Sequence, residues 1–206
     1  MMRATLLAIT VALTGWPAFG ADFSDPDWPC IQRKVPQLWI GQMWTGPAIE
    51  EPDLQAWRKL PDVAALAPVL AVRRTSEDAA EALVGQFAEA AGDARDEKLR
   101  LLFAGAFTLI DRERSQIISG IGRYARTQTA LSAGIEETQN QLTELQAIEN
   151  PDFDTQDKIE EIEDQLLWDT RIYKDRQQSL TYVCETPVIL EKRAFALARM
   201  IMARME

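Results

Sequence analysis

No proline occurs between residues 69 and 150, and inside that stretch Ile117, Ile121, Tyr124, Gln128, Leu131, Ile135, Thr138, Leu142 and Leu145 step alternately by four and three. Only an α-helix holds side chains at that spacing on one face, and the alternation is a heptad seam with polar interruptions at Gln128 and Thr138. Leu99, Phe103, Ala106 and Ile110 carry the stripe upstream on a broader apolar face. A chain built this way centres on one long helix whose seam needs a cover. Asn150-Pro151-Asp152 stops it, and Asp154 suits the N-cap of a second helix. Beyond it Ile159, Ile162, Leu166, Asp169, Tyr173, Arg176, Leu180 and Val183 keep the same alternation.

Two heptad segments with a short break between them predict an antiparallel hairpin. The expected fold class is all-α: an elongated, coiled-coil-like helical hairpin with arms 94–149 and 154–205, additional short helices and an extended N-terminal arm. Residues facing each other across the hairpin then sum to roughly 304, which sets Cys184 level with Gly120. At 1.5 Å per residue an unbroken helix over 94–149 reaches about 84 Å. Asp169 and Arg176 on the second seam read as a register device or as a cavity facing another element. Pro187 is expected to kink or restart the second helix.

Proline divides the rest. Seven of the nine prolines after residue 20 lie between Pro26 and Pro68, so residues 21–51 read as an extended Trp/Pro-rich arm. Short helices are expected near 53–60 and 62–72, then a helix capped by Thr75 with Asp78 and ending at Gly92. Asp93 with Asp96 repeats the capping device. Residues 52–206 form the helical domain.

Met1, Met2 and Arg3 precede an apolar run to about Trp16, and Ala18 and Gly20 stand at the minus 3 and minus 1 positions of a cut before Ala21. This is the layout of a secretory signal peptide over 1–20, with an apolar run too short for an ordinary membrane span. Removing Arg3 with it leaves 21 basic against 32 acidic residues, and such an acidic chain repels phosphate backbones, so no nucleic-acid partner is expected. Cys30 and Cys184 are the only cysteines; in an exported chain they read as one disulfide, with a redox-active or intermolecular pair as the alternative that the missing CxxC spacing disfavours. Gly120 and Gly122 cost the long helix about 1 kcal/mol each. Either the arm carrying Cys30 crosses over them, or they mark a kink.

With no histidine in the chain, Ser/His/Asp and Cys/His triads and His-ligated zinc or haem are excluded. No glycine-rich phosphate loop, GxSxG, HExxH or CxxCH occurs. Asp152, Asp154, Asp157 and Glu163 echo a calcium loop, but Asp157 stands where that loop needs glycine, and helix capping explains the acids. Asp111, Arg112, Glu113 and Arg114, with Glu160, Glu161, Glu163 and Asp164, read as a solvated face rather than a carboxylate site. No metal and no cofactor are expected. Trp28, Trp39 and Trp44 in the arm are the candidate partner- or ligand-binding residues, with packing of an irregular segment onto the helices as the competing role of the arm's tryptophans, Trp57 included. The tail 188–205, net positive and rich in methionine, either contacts a partner or an anionic membrane surface peripherally, or folds back onto the body.

The functional expectation is a non-enzymatic, periplasmic scaffold, adaptor or assembly factor that binds another envelope protein through its hairpin and aromatic arm, with outright secretion as the alternative address. A ligand-binding module holding an apolar or glycan ligand on the tryptophan arm is the second reading, and a carboxylate-dependent hydrolase the third.

Overall fold

The computed structural model describes residues 25–205; the expected leader and the first residues of the arm lie outside them. An irregular arm leads into α1 (Asp53–Ala56), α2 (Pro61–Ala71), α3 (Glu77–Ala91), α4 (Arg95–Gln146) and α5 (Phe153–Met202), and no strand occurs among the described residues. The fold is the expected all-α helical hairpin.

The 52 residues of α4 span about 78 Å. All nine seam positions from Ile117 to Leu145 are buried or half-buried. Across the hairpin, Leu142 packs with Ile162 and Ile121 with Cys184, within one residue of the expected register. The reversal lies at 147–152, where Asn150 takes the left-handed φ of 57° that asparagine tolerates. Asp152, not Asp154, caps α5, its carboxylate accepting from the Thr155 amide at 2.8 Å.

Four further local expectations change. Ser76 rather than Thr75 caps α3, accepting from the Ala79 amide at 3.2 Å. No side chain caps α4, which starts from a tight turn over Gly92–Ala94. Helix α5 runs through Pro187 as one element, without a restart. Its seam also slips: Cys184 is buried while Val183 is 42% exposed, and Arg176 lies on the surface instead of facing a cavity. A helix with 3.6 residues per turn drifts from a strict 3.5 repeat by about 20° per heptad, so the sequence stripe loses the buried face after two heptads.

The main core sits at one end, where α2, α3, the first half of α4 and the last part of α5 enclose Leu70, Leu99, Leu102, Phe103, Ile110, Leu190, Leu197 and Ile201. The tail turns Leu190, Ala194, Leu197, Ala198 and Ile201 into this core, so its folded-back reading describes it and its apolar bulk is spent inside. Arg193, buried, donates to the Leu70 carbonyl at 2.9 Å and the Thr75 carbonyl at 2.6 Å, holding the end of α2 and the loop after it. Gly105 sits against Trp57 and Ala67 so closely that a Cβ would stand 2.9 Å from the indole and 3.0 Å from the Ala67 methyl. Toward the hairpin tip the core thins to Leu142, Ile162 and Leu166, flanked by Ile135, Leu145 and Ile159. The outer hairpin is thus a prong standing off a packed body. Among the described residues no helix is long and apolar enough to cross a membrane.

Candidate functional site

The arm is fastened by sulfur, by polar side chains and by its rings. Cys30 and Cys184 meet at disulfide distance, with 5.5 Å between their Cα atoms, and join Ile121 in a small cluster beside Trp28, Ile117 and Leu180. The Asp27 carbonyl passes 3.6 Å from where a Gly122 Cβ would stand. The arm therefore crosses over Gly122, while Gly120 lies outside the crossing and the helix continues through both.

Further along, α4 grips the arm's backbone. The Leu38 amide donates to Asp111 at 2.9 Å, Ser115 donates to the Pro36 carbonyl at 3.4 Å, and Arg114 donates to the carbonyls of Val35 and, at 3.3 Å, Pro187. Arg114 is only 3% exposed, with Glu191 3.6 Å away; burial pulls its pKa down, and the charges of Glu191 and Asp111 oppose that. This corrects the reading of Asp111 and Arg114 as a solvated face: the pair clasps the arm, while Glu160, Glu161, Glu163 and Asp164 do lie in solvent.

The tryptophans divide. Trp44 is buried, stacked on Phe103 with 4.7 Å between centroids, and its indole N–H donates to the Pro47 carbonyl at 2.7 Å. Trp57 is buried and bonded to the Leu54 carbonyl at 3.1 Å, with Arg58 over its ring. Trp28 is half-buried, its N–H on the Gln32 carbonyl at 2.6 Å and Lys34 over its ring. Only Trp39 of the candidate set presents its ring, at 70% exposure.

A groove of about 540 Å³ opens where the arm crosses the hairpin, walled by Pro26, Pro29 and Ile31 on one side and Tyr173, Leu180 and Glu185 on the other. None of its lining residues is a tryptophan. Gln32 and Gln128 border it, and each keeps a buried amide oxygen without a donor; the Gln128 amide nitrogen is committed to the Tyr173 carbonyl at 3.2 Å. Those oxygens are sealed from solvent, so a ligand would have to displace the amides to reach them.

The prong's outer surface is where unpartnered chemistry concentrates. Residues 132–166 hold eleven carboxylates and one cation, Lys158, leaving 21 acids and 21 bases elsewhere. The protein's formal charge of −10 therefore resides on the prong. Among the described residues no ion pair reaches any of these acids. On α5, Leu167 and Trp168 are 70% and 61% exposed, followed by Ile172 at 38%. Trp168 and Ile172 share the helix face opposite the buried seam, in line with Asp164, Glu161 and Asp157 one, two and three turns before. Sequence periodicity passed over these apolar residues because they lie off the seam; large side chains on an otherwise polar face are the signal that marks them.

The carboxyls whose pKa values shift lie elsewhere or cap a helix. Lys34 beside Asp25, the Glu50 amide on Asp53, Lys98 beside Asp62 and Thr155 on Asp152 hold all four below the ordinary carboxylate value. A general acid needs the opposite shift. Among the described residues no group of three or more His, Cys, Asp or Glu side chains is placed to hold a metal ion. No protein-family model, curated protein or solved structure matches the chain.

Proposed function

We propose that this protein is an exported, non-enzymatic adaptor or assembly factor of the cell envelope, in which the packed body and the clasped arm hold an acidic helical prong out toward a partner protein. The observation that carries the reading is the segregation of nearly all the net charge, ten of the eleven excess negative charges that remain once Arg3 is removed, without internal counter-ions, onto a two-helix extension beside the exposed Leu167, Trp168 and Ile172. Repelling carboxylates at i, i+4, such as Asp157 with Glu161 and Glu160 with Asp164, each cost a helix about 0.2–0.5 kcal/mol, an expense that a scaffold serving only itself has no reason to carry. The Cys30–Cys184 pair supports an oxidising compartment, where such bridges persist, and the leader layout supports export to the periplasm. The arm's role on this reading is to stiffen the root of the prong, with Trp39 as its one ring open to contact.

The test is site-specific photo-crosslinking in the producing cell, with the crosslinker at Glu161 and Gln165 on the prong and at Arg73 on the body. A discrete adduct from the prong positions and none from Arg73 is the expected result; prong positions that capture nothing above background would refute the adaptor reading. The groove of about 540 Å³ favours a second reading, a ligand-binding module, because its size falls in the range of small-molecule sites. Its occupant would touch Ile31 and Tyr173 rather than the tryptophans, and Tyr173→Ala would abolish the binding.

A further inference from the structure

We infer that the outer face of α5 around Trp168 is a docking strip for a basic amphipathic helix of another protein. This rests on the adaptor reading and names the chemistry of its partner.

The strip has two halves in register. Trp168 and Ile172, with Leu167 at their flank, form the apolar half; Asp157, Glu161 and Asp164 continue the same face toward the tip as the acidic half. The face points away from α4, whose own contacts with α5 use Ile162 and Leu166. Among the described residues none covers the Trp168 ring. Tryptophan rings anchor interfaces when a partner covers them, and a straight helical surface offers a second helix a ridge to pack along, read as anchors at i, i+3 and i+4.

Charge selects the occupant. A basic helix supplies the counter-ions that the prong lacks, with its apolar side on Trp168 and its Lys and Arg on the acidic half. A second copy of this chain would bring another eleven carboxylates against the first eleven, and an anionic membrane surface would be repelled in the same way.

The experiment uses the disulfide-bonded full chain and a fluorescent Lys/Leu heptad peptide followed by anisotropy, with a Glu/Leu heptad peptide, polylysine and phosphatidylglycerol vesicles alongside. The Lys/Leu peptide should bind and weaken with added salt, while the Glu/Leu peptide and the vesicles should not bind. Trp168→Ser with Ile172→Ser should cost about tenfold or more in affinity for the Lys/Leu peptide without changing weak polylysine binding. Asp157→Asn with Glu161→Gln and Asp164→Asn should flatten the salt dependence, whereas Trp39→Ser should change nothing. The inference is overturned if Lys/Leu binding survives the Trp168 and Ile172 changes, if those changes instead dissociate a dimer of the protein, or if they abolish vesicle binding. Prong crosslinks that persist in the face of such a result would leave the adaptor reading standing on other chemistry; their absence removes both.

Discussion

Two glycines in α4 allow the packing argument to be measured against itself. Replacing a helical glycine by alanine raises intrinsic helix stability by about 1 kcal/mol, and this gain is common to Gly105→Ala and Gly134→Ala. At Gly134 the new methyl meets nothing within 4 Å, so the full gain should appear. At Gly105 it would stand 2.9 Å from the Trp57 ring and 3.0 Å from the Ala67 Cβ, well inside the roughly 3.5–4.0 Å of an ordinary carbon contact. Trp57 cannot swing clear, because it is buried, hydrogen-bonded to Leu54 and covered by Arg58. Overpacking of this kind costs about 1–3 kcal/mol. Gly105→Ala should therefore be neutral to about 2 kcal/mol destabilising, and the gap between the two variants, from which propensity cancels, should be about 1–3 kcal/mol. Urea unfolding read at constant m-value measures both. Equal stabilisation by the two substitutions would show that α2 and Trp57 do not press on α4 as described.

Three further outcomes follow from the clasp and the ion pairs. Reducing the protein, or Cys30→Ser, opens a 154-residue loop and should lower stability by up to about 5 kcal/mol in the chain-entropy account, with faster proteolysis at Arg33 and Lys34; an unchanged urea midpoint would refute the bridge's role. Arg114→Ala leaves the Val35 and Pro187 carbonyls without this donor and should cost about 2–4 kcal/mol, whereas exposed Arg112→Ala should stay within about 0.5 kcal/mol; hydrogen exchange over 33–38 should quicken only in the first. Asp25, Asp53, Asp62 and Asp152 titrate lower in the folded chain than the ordinary 3.8, so their stabilising contribution is complete above about pH 5 and is lost as pH falls below that and through the depressed values. A pH series of urea midpoints should decline in that acid range, and Asp53→Asn, which removes one such group, should shallow the decline.

What the sequence disclosed and what it hid divide along periodicity. The α4 seam from Ile117 to Leu145 was legible because each residue on it faces one direction, and the Asn150-Pro151 break located the reversal. The α5 seam holds from Ile159 to Tyr173 and then slips, leaving Arg176 exposed, and by its end a 3.5-residue template assigns Val183 where a 3.6-residue helix buries Cys184. In the arm no period exists, so nothing in the order of residues separates buried Trp44 from exposed Trp39. Arg114 hid among three charged neighbours; its burial depends on two carbonyls contributed by residues more than seventy positions away. Gly105 carried no mark either, because the close approach of Trp57 is a property of the packed body.

Separating a nearly neutral body from a prong that holds almost all the excess negative charge puts the molecule's electric field at one end. The stretch of α4 from Ala125 to Gln146 alone is about 32 Å, several times the screening distance of about 8 Å in physiological salt. A cationic visitor near the body feels almost no pull, while one near the tip is drawn in and turned before it touches. The fold thus decides from which end this protein can be approached.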